Sequence, residues 1–210
     1  MIARKLRFAA LPTVIGALAV VACSGTPPAA RAYVTATVRP GTLSTNGSDL
    51  CGFGQEMSFV IIGTPTAPLP TTVTDGNTQA GAPVHVTCSV RASGDGFDVQ
   101  ASANVEGLNG GTLTITGHVN SMGGTGLAAS FNNANNGTFS QSEGTSGGCT
   151  IMYTGDPPPQ NPAVAAGRIW GHVDCEAASR SDELTQLPDG GSVPRTCQAF
   201  ADFLFEDCDQ

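Results

Sequence analysis

"APVHVTCSVRA", Ala82 to Ala92, is the stretch that decides the fold class. Val84, Val86, Cys88 and Val90 fall on one side of an extended chain, with His85, Thr87, Ser89 and Arg91 on the other. A repeat of two is the mark of a strand with one buried and one solvated face. "GFDVQASANVEG" continues the pattern with Phe97, Val99, Ala101, Ala103 and Val105 inward, and "TLTITGHV" does so with Leu113, Ile115 and Val119. Gly94-Asp95-Gly96 and Asn109-Gly110-Gly111 join these runs, and such glycine-rich joins favour tight hairpins. Three consecutive strands joined in this way form an antiparallel meander.

Working outward, Tyr33 to Val38 alternates as well, and Ser58 to Ile62 is a continuous apolar run suited to a central strand. Leu127 to Phe131, Cys149 to Tyr153 and Arg168 to Cys175 complete the set, separated by the loop segments "NNANNG" and "GDPPPQNP". The expected fold is mainly β, an antiparallel β-sandwich with a barrel as the alternative.

The C-terminal stretch "SVPRTCQAFADFLFEDC" departs from that pattern. Cys197, Phe200, Ala201, Leu204, Phe205 and Cys208 recur at helical spacing. Ser192 or Thr196 suits the cap and Pro194 the first turn. The reading is one short α-helix at about 194–207. Glu206 and Asp207 oppose the dipole at its carboxyl end, so the end needs pinning. In a straight helix Cys197 and Cys208 lie about 16 Å apart, too far to bridge to each other. Each is therefore expected to reach into the sheet and clamp the helix, with Cys175 the nearest partner in sequence.

The chain has seven cysteines. Apart from Cys23, the disulfide candidates are Cys51, Cys88, Cys149, Cys175, Cys197 and Cys208, an even set suited to an oxidising compartment. No C-x-x-C pair occurs, so neither thioredoxin-like redox chemistry nor the common zinc spacings are indicated. Six cysteines allow about 15 pairings, and spacing does not choose among them.

Acidic side chains outnumber basic ones by 17 to 9, for a net charge of −8. Arg4, Lys5 and Arg7 precede Cys23, which leaves six arginines against 17 carboxylates beyond it, a balance of −11. Such a surface repels phosphates, so a nucleic-acid partner is not expected. It also offers no polybasic help at an anionic membrane.

Those three basic residues are followed by the mostly apolar run Phe8 to Ala22, in the order of an export signal. The run is short for a bilayer-spanning helix, which takes roughly 20 residues. It ends Val20, Val21, Ala22, Cys23. This resembles the lipobox of bacterial lipoproteins. The resemblance implies cleavage before Cys23, diacylglycerol on its sulfur and acylation of the new amino terminus, an anchor strong enough to hold a protein at a membrane. Ser24 after the cysteine, rather than aspartate, implies the outer membrane. The rest of the chain is similar to the small β-rich, cysteine-containing lipoproteins of the outer membrane, a likeness that carries no catalytic residues. The organisation expected is a signal peptide at 1–22, a lipidated amino terminus and spacer at 23–31, and a single β-rich domain at 32–210.

Candidate chemistry is sparse. "GTSGG" at 144–148 fits G-x-S-x-G, but a polar loop precedes Ser146 and a strand follows, whereas the nucleophile elbow needs a strand and then a helix. Gly124, Gly126 and Ala129 imitate a dinucleotide fingerprint, but asparagines follow where the helix should start. His85, His118 and His172 all lie on outward faces and would converge on a metal only if their strands were neighbours; three solvated histidines are preferred. Asp95 and Asp98, and the group Asp202, Glu206, Asp207 and Asp209, lack the spacing of a calcium loop and read as solvated acids. Trp170 and His172 share a face with Arg168 and Asp174, a possible binding face unless the C-terminal helix covers the tryptophan. No catalytic residue, metal or cofactor is expected.

The function expected is that of a lipid-anchored binding or interaction module of the cell envelope, not an enzyme, with a protein or glycan as ligand. The loop Asn132 to Gly137 and the Trp170 face are the candidate contact surfaces. A structural envelope lipoprotein is the alternative, and an exported hydrolase the more distant one.

Overall fold

The computed structural model describes residues 27–41, 51–108, 110–143, 148–186 and 190–210. Cys23, the signal segment and Ser146 lie outside the described residues. Thirteen strands are present among them. In chain order they are β1 (Arg31–Arg39), β2 (Met57–Ile62), β3 (Val73–Thr74), β4 (Thr78–Gln79), β5 (Ala82–Ser93), β6 (Gly96–Val105) and β7 (Gly111–Val119). The remainder are β8 (Gly124–Asn133), β9 (Gly137–Gln141), β10 (Cys149–Met152), β11 (Val164–Ala165), β12 (Arg168–Gln186) and β13 (Ser192–Glu206).

The meander is as the alternation implies. β5 pairs with β6 from Val84↔Val105 to Ser93↔Gly96, β6 with β7, and β7 with β8, all antiparallel. Val84, Val86, Val99, Ala101, Ala103, Leu113, Ile115 and Val119 are buried. At the β5–β6 turn Gly94 has φ 56°, a left-handed conformation that glycine takes without strain.

No helix forms at the C-terminus. Residues 194–207 lie almost wholly in β13, whose register runs Arg31↔Glu206 to Arg39↔Gln198 against β1 and Ile169↔Phe205 to Cys175↔Ala199 against β12. The reason is visible in the same residues. Cys197, Ala199, Ala201, Phe203 and Phe205 are all fully buried, a period of two as regular as that of β5. Phe200 and Leu204 stand on the opposite face, and with Cys197, Ala201 and Phe205 of the buried face they complete the helical stripe. Because β13 has neighbours on both edges and apolar groups on both faces, it satisfies both templates, and the tertiary pairing decides.

The architecture also departs from two separate sheets and from a barrel. One hydrogen-bonded path runs β2-β1-β13-β12-β10-β8-β7-β6-β5-β4, with β3, β9 and β11 attached beside it. The sheet folds over so that β2 packs against β6, β7 and β8, a sandwich-like arrangement made from a single ladder. The strand that makes this possible is β12, 19 residues long, with register shifts between Cys175 and Ala178 and between Arg180 and Leu184. Bulges bend a strand and sharpen its twist, so one strand serves both layers. The run Ser58 to Ile62 is not central, since β2 ends the path. A register shift at Phe59 turns successive apolar residues to the core: Phe59 meets Phe53 and Phe139 at ring separations of 6.1 and 5.8 Å, Val60 and Ile62 are buried, and Ile61 stays half-exposed.

Three disulfides hold the layers, Cys51–Cys197, Cys88–Cys208 and Cys149–Cys175. Cys175 thus pairs with the neighbouring strand β10 and not with the C-terminal segment. Beyond β13 the chain turns at Asp207, and Asp209 pairs with Ser89 in parallel. Asp209 O accepts from Val90 N at 2.9 Å and Asp209 N donates to Cys88 O at 3.0 Å. The tail is therefore stitched to β5 by backbone bonds as well as by the Cys88–Cys208 sulfurs.

Candidate functional site

Two outward faces differ sharply in what they carry. On the β1–β13–β12 face the registers set Arg31, Glu206 and Arg168 in one row, then Tyr33, Leu204 and Trp170, then Thr35, Asp202 and His172, then Thr37, Phe200 and Asp174. The polar groups there are bound to one another. Arg31 and Arg168 each lie 3.2 Å from the Glu206 carboxylate, and His172 Nδ1 meets Asp202 Oδ1 at 2.8 Å. Gln198 Nε2 donates to Asp174 at 3.0 Å and accepts, through Oε1, from Arg39 Nε at 3.0 Å. The Arg39 guanidinium lies 4.7 Å from the Phe200 ring centre, and Phe200 stacks on His172.

Trp170 is not an exposed platform. Only 1% of it is accessible, and with Tyr33 and Leu204 it forms a small second core. No helix covers it; the Arg168 guanidinium lies 5.6 Å from its ring centre, and the proline-rich loop is bonded to the row beside it. Tyr33 Oη donates to Asp156 O at 3.0 Å, Trp170 N donates to Ala163 O at 2.8 Å, and Pro157 is buried. The buried phenol of Tyr33 is held above its ordinary pKa chiefly by desolvation. Nearby, Tyr153 donates to Asn120 O at 2.6 Å, and burial pushes its pKa up to about 12. His172 is partly exposed but engaged with Asp202, so this face does not present Trp170 and His172 together to a ligand.

The three histidines do not converge. His85 meets Glu106 at 3.0 Å, His118 meets Asp98 at 2.9 Å and Asp95 at 3.4 Å, and His172 meets Asp202. Hydrogen bonding to Asp98 raises the His118 pKa, and the same contact lowers that of Asp98. Among the described residues no group of three or more potential metal ligands occurs. Gly124, Gly126 and Ala129 lie in β8, with no helix after them. The asparagine loop is also spent internally. Asn133 Nδ2 donates to Phe59 O at 3.0 Å, its Oδ1 accepts from Asn135 N at 3.0 Å, and Asn135 Nδ2 donates to Leu108 O at 2.6 Å.

The second face, across β5 to β9, has another character. The pairings Thr87↔Ser102, Ser102↔Thr114, Thr114↔Ser130 and Ser130↔Ser140 set five hydroxyls side by side. Ser140↔Ser179 and Ser179↔Thr196 carry the row onto β12 and β13, making seven hydroxyls on seven strands. Beside it runs Ser89, Gln100, Thr116 and Ala128, and on the other flank Asn104, Thr112, Asn132 and Thr138. Strand spacing puts neighbours in a row about 4.8 Å apart, and rows about 6.7 Å apart along the strand. Ser102 and Thr114 lie 3.3 Å apart, oxygen to oxygen, and Asn104 Nδ2 donates to Thr112 Oγ1 at 2.6 Å. All seven members of the row are partly or fully exposed.

Two shallow hollows lie over this lattice. One of about 390 Å³ is lined by Thr87, Ser89, Gln100, Ser102, Thr114 and Thr116, with Asp209 of the tail at its border. The other, of about 200 Å³, shares Thr114 and Thr116 and extends over Ser130, Ser140 and Glu143. The two meet at Thr114 and Thr116; hydroxyl and amide side chains alternate there with Cys88, Ala101, Ala128 and Ala129, and the carboxylates of Asp209 and Glu143 stand at the edges. The alternation in the sequence identifies Thr87, Ser102, Thr114 and Ser130 as outward, but Ser140, Ser179 and Thr196 fall outside the strands it marks, and the alignment depends on register, which spacing alone does not give. Comparison with protein-family models, with curated proteins and with solved structures finds no match.

Proposed function

We propose that the chain is an exported, lipid-anchored binding module of the outer membrane that holds a neutral, hydroxyl-rich polymer, a glycan of the envelope, on the β5–β9 face. The observation that carries this reading is the seven-strand hydroxyl row, in which no charged side chain takes part although the whole chain has a net charge of −8. Each hydroxyl offers one donor and two acceptor sites, which complements the hydroxyls of a sugar. The acidic balance elsewhere disfavours polyanions, including nucleic acid. A lattice of single hydrogen bonds gains little at each position, because water competes for every one. Binding then rests on repetition along the polymer. The Val20-Val21-Ala22-Cys23 sequence supports the anchor, which would hold this face at a membrane surface without an enzymatic role.

The test is affinity electrophoresis of the acyl-free Cys23→Ala protein through gels containing neutral envelope polysaccharide. Retardation is expected, and it should be lost in the triple variant Thr114→Val, Ser130→Ala, Ser140→Ala with its unfolding midpoint unchanged. Equal retardation of parent and variant, or none in either, overturns the proposal. Intact mass of the native protein checks the anchor separately, through the mass of the acyl groups.

A further inference from the structure

The outer edge of β2 lies apart from the hydroxyl face. One edge of β2 pairs with β1, and the other pairs with no strand among the described residues. That outer edge borders a hollow of about 780 Å³, lined by Met57 to Ile61 on one side and by Gln79, Ala80, Ala82, Glu106, Leu108 and the Asn133–Asn136 turn on the others. Across the gap, two side-chain amides bond to the strand's backbone. Gly63 N donates to Gln79 Oε1 at 2.6 Å, Gln79 Nε2 donates to Ile61 O at 3.1 Å, and Asn133 Nδ2 donates to Phe59 O at 3.0 Å. These are bonds of the kind an adjoining strand would make.

We propose that this edge binds an extended peptide, added as a strand beside β2 and displacing both the Gln79 clip and the Asn133 bond to Phe59 O. An unpaired edge is a ready template for another chain, and main-chain bonds supply the affinity in such complexes. The hollow is bounded by the β4–β5 hairpin and by the turns after β6 and β8, so it receives one short extended chain and not the two-layered edge of a second copy. Side-chain preference follows from the rim. Ile61 and Leu108 are 50% and 86% exposed and offer apolar contacts. The Glu106 carboxylate favours a basic residue opposite it, as does the acidic balance of the whole chain. The ligand class is therefore a peptide with alternating apolar residues and a flanking lysine or arginine.

The probe is the synthetic peptide KVTVTVK, with a counterpart carrying proline at its central valine, titrated into the acyl-free Cys23→Ala protein. Saturable binding is expected, with slowed amide exchange confined to Phe59 to Gly63. The proline peptide should fail, because proline removes a ladder donor. Gln79→Ala should tighten binding several-fold by removing the competing clip, and the surface variant Glu106→Gln should weaken it several-fold, which keeps the test informative if loss of Gln79 disturbs the fold. Absence of protection on β2, equal binding of both peptides, or β2 protection that rises with protein concentration alone would overturn the proposal. The Thr114, Ser130 and Ser140 substitutions should leave peptide binding unaltered.

Discussion

The β1–β13–β12 face and the β5–β9 face come from the same strand alternation, yet they dispose of their outward groups in opposite ways. The former carries ion pairs, an imidazole–carboxylate contact and a tryptophan sealed in with Tyr33 and Leu204. Most of its polar groups are engaged with one another, Arg168 Nε by charge rather than by a hydrogen bond. The latter carries small neutral groups with few bonds among themselves and two shallow hollows above them. A face that satisfies its own polar groups contributes to the fold, whereas one that leaves them to solvent is available to a ligand.

Breaking the sealed face should cost the most. Trp170→Ala empties the space beside Tyr33 and Leu204, and is expected to destabilise by about 3–5 kcal/mol in denaturant unfolding. A loss under about 1 kcal/mol would show that the ring is not closely packed. Next comes the seam between the faces, where the joint substitution Cys88→Ser and Cys208→Ser frees the tail from β5. The bridge closes a loop of 120 residues in sequence separation, and its removal should cost about 2–4 kcal/mol. Hydrogen exchange at Val90 and Asp209 should rise, while the Trp170 face stays protected. Reducing agent should act on the same seam.

A smaller effect is expected at Gln141, buried between the faces. Its Oε1 accepts from Ala177 N at 3.2 Å and its Nε2 donates to Gly148 O at 3.0 Å. Gln141→Leu should cost about 1 kcal/mol because both partly buried backbone groups lose their partners. The smallest effect belongs to His118 at the rim of the open face. Its pKa is raised by Asp98 and Asp95, so protonation is favoured in the folded state. The pairing stabilises most at pH below the ordinary histidine value and is lost as pH rises through the raised one. Imidazole titration by NMR should place His118 above a solvated histidine, and Asp98→Asn should bring it back. The change in stability should be slight, since exposed charges are well screened.

Much of the open face was legible from residue order. The runs around Val86, Val99 and Ile115 alternate without competing periodicity, and glycines mark their turns, so the meander and its buried side follow directly. The sealed face was much less so. In β13, Phe200 and Leu204 on one side and Phe203 and Phe205 on the other fit a helix and a strand equally, and only β1 and β12 on its two edges resolve the choice. Trp170 sits among polar neighbours in sequence, and its burial depends on Tyr33 and Leu204 of other strands, which no local pattern places beside it. The disulfide partners lie 146, 120 and 26 residues apart, so they are products of the topology and not of spacing. The hydroxyl row is an intermediate case: Thr87, Ser102, Thr114 and Ser130 can be assigned to a side, whereas Ser140, Ser179 and Thr196 lie beyond the strands that alternation marks and join the row only through register.

Between Cys175 and Ala178 the strand β12 advances three residues while β13 advances two, from Ala199 to Cys197. An odd step against an even one keeps Ala178 on the inner side and Ser179 on the outer, in line with Ser140. A regular strand through both Glu176 and Ala177 would turn Ser179 toward the interior and cut the two-strand extension from the hydroxyl array, and the bulge that absorbs the extra residue prevents it. The bulge at one surplus residue thus sets how many strands carry the hydroxyl row.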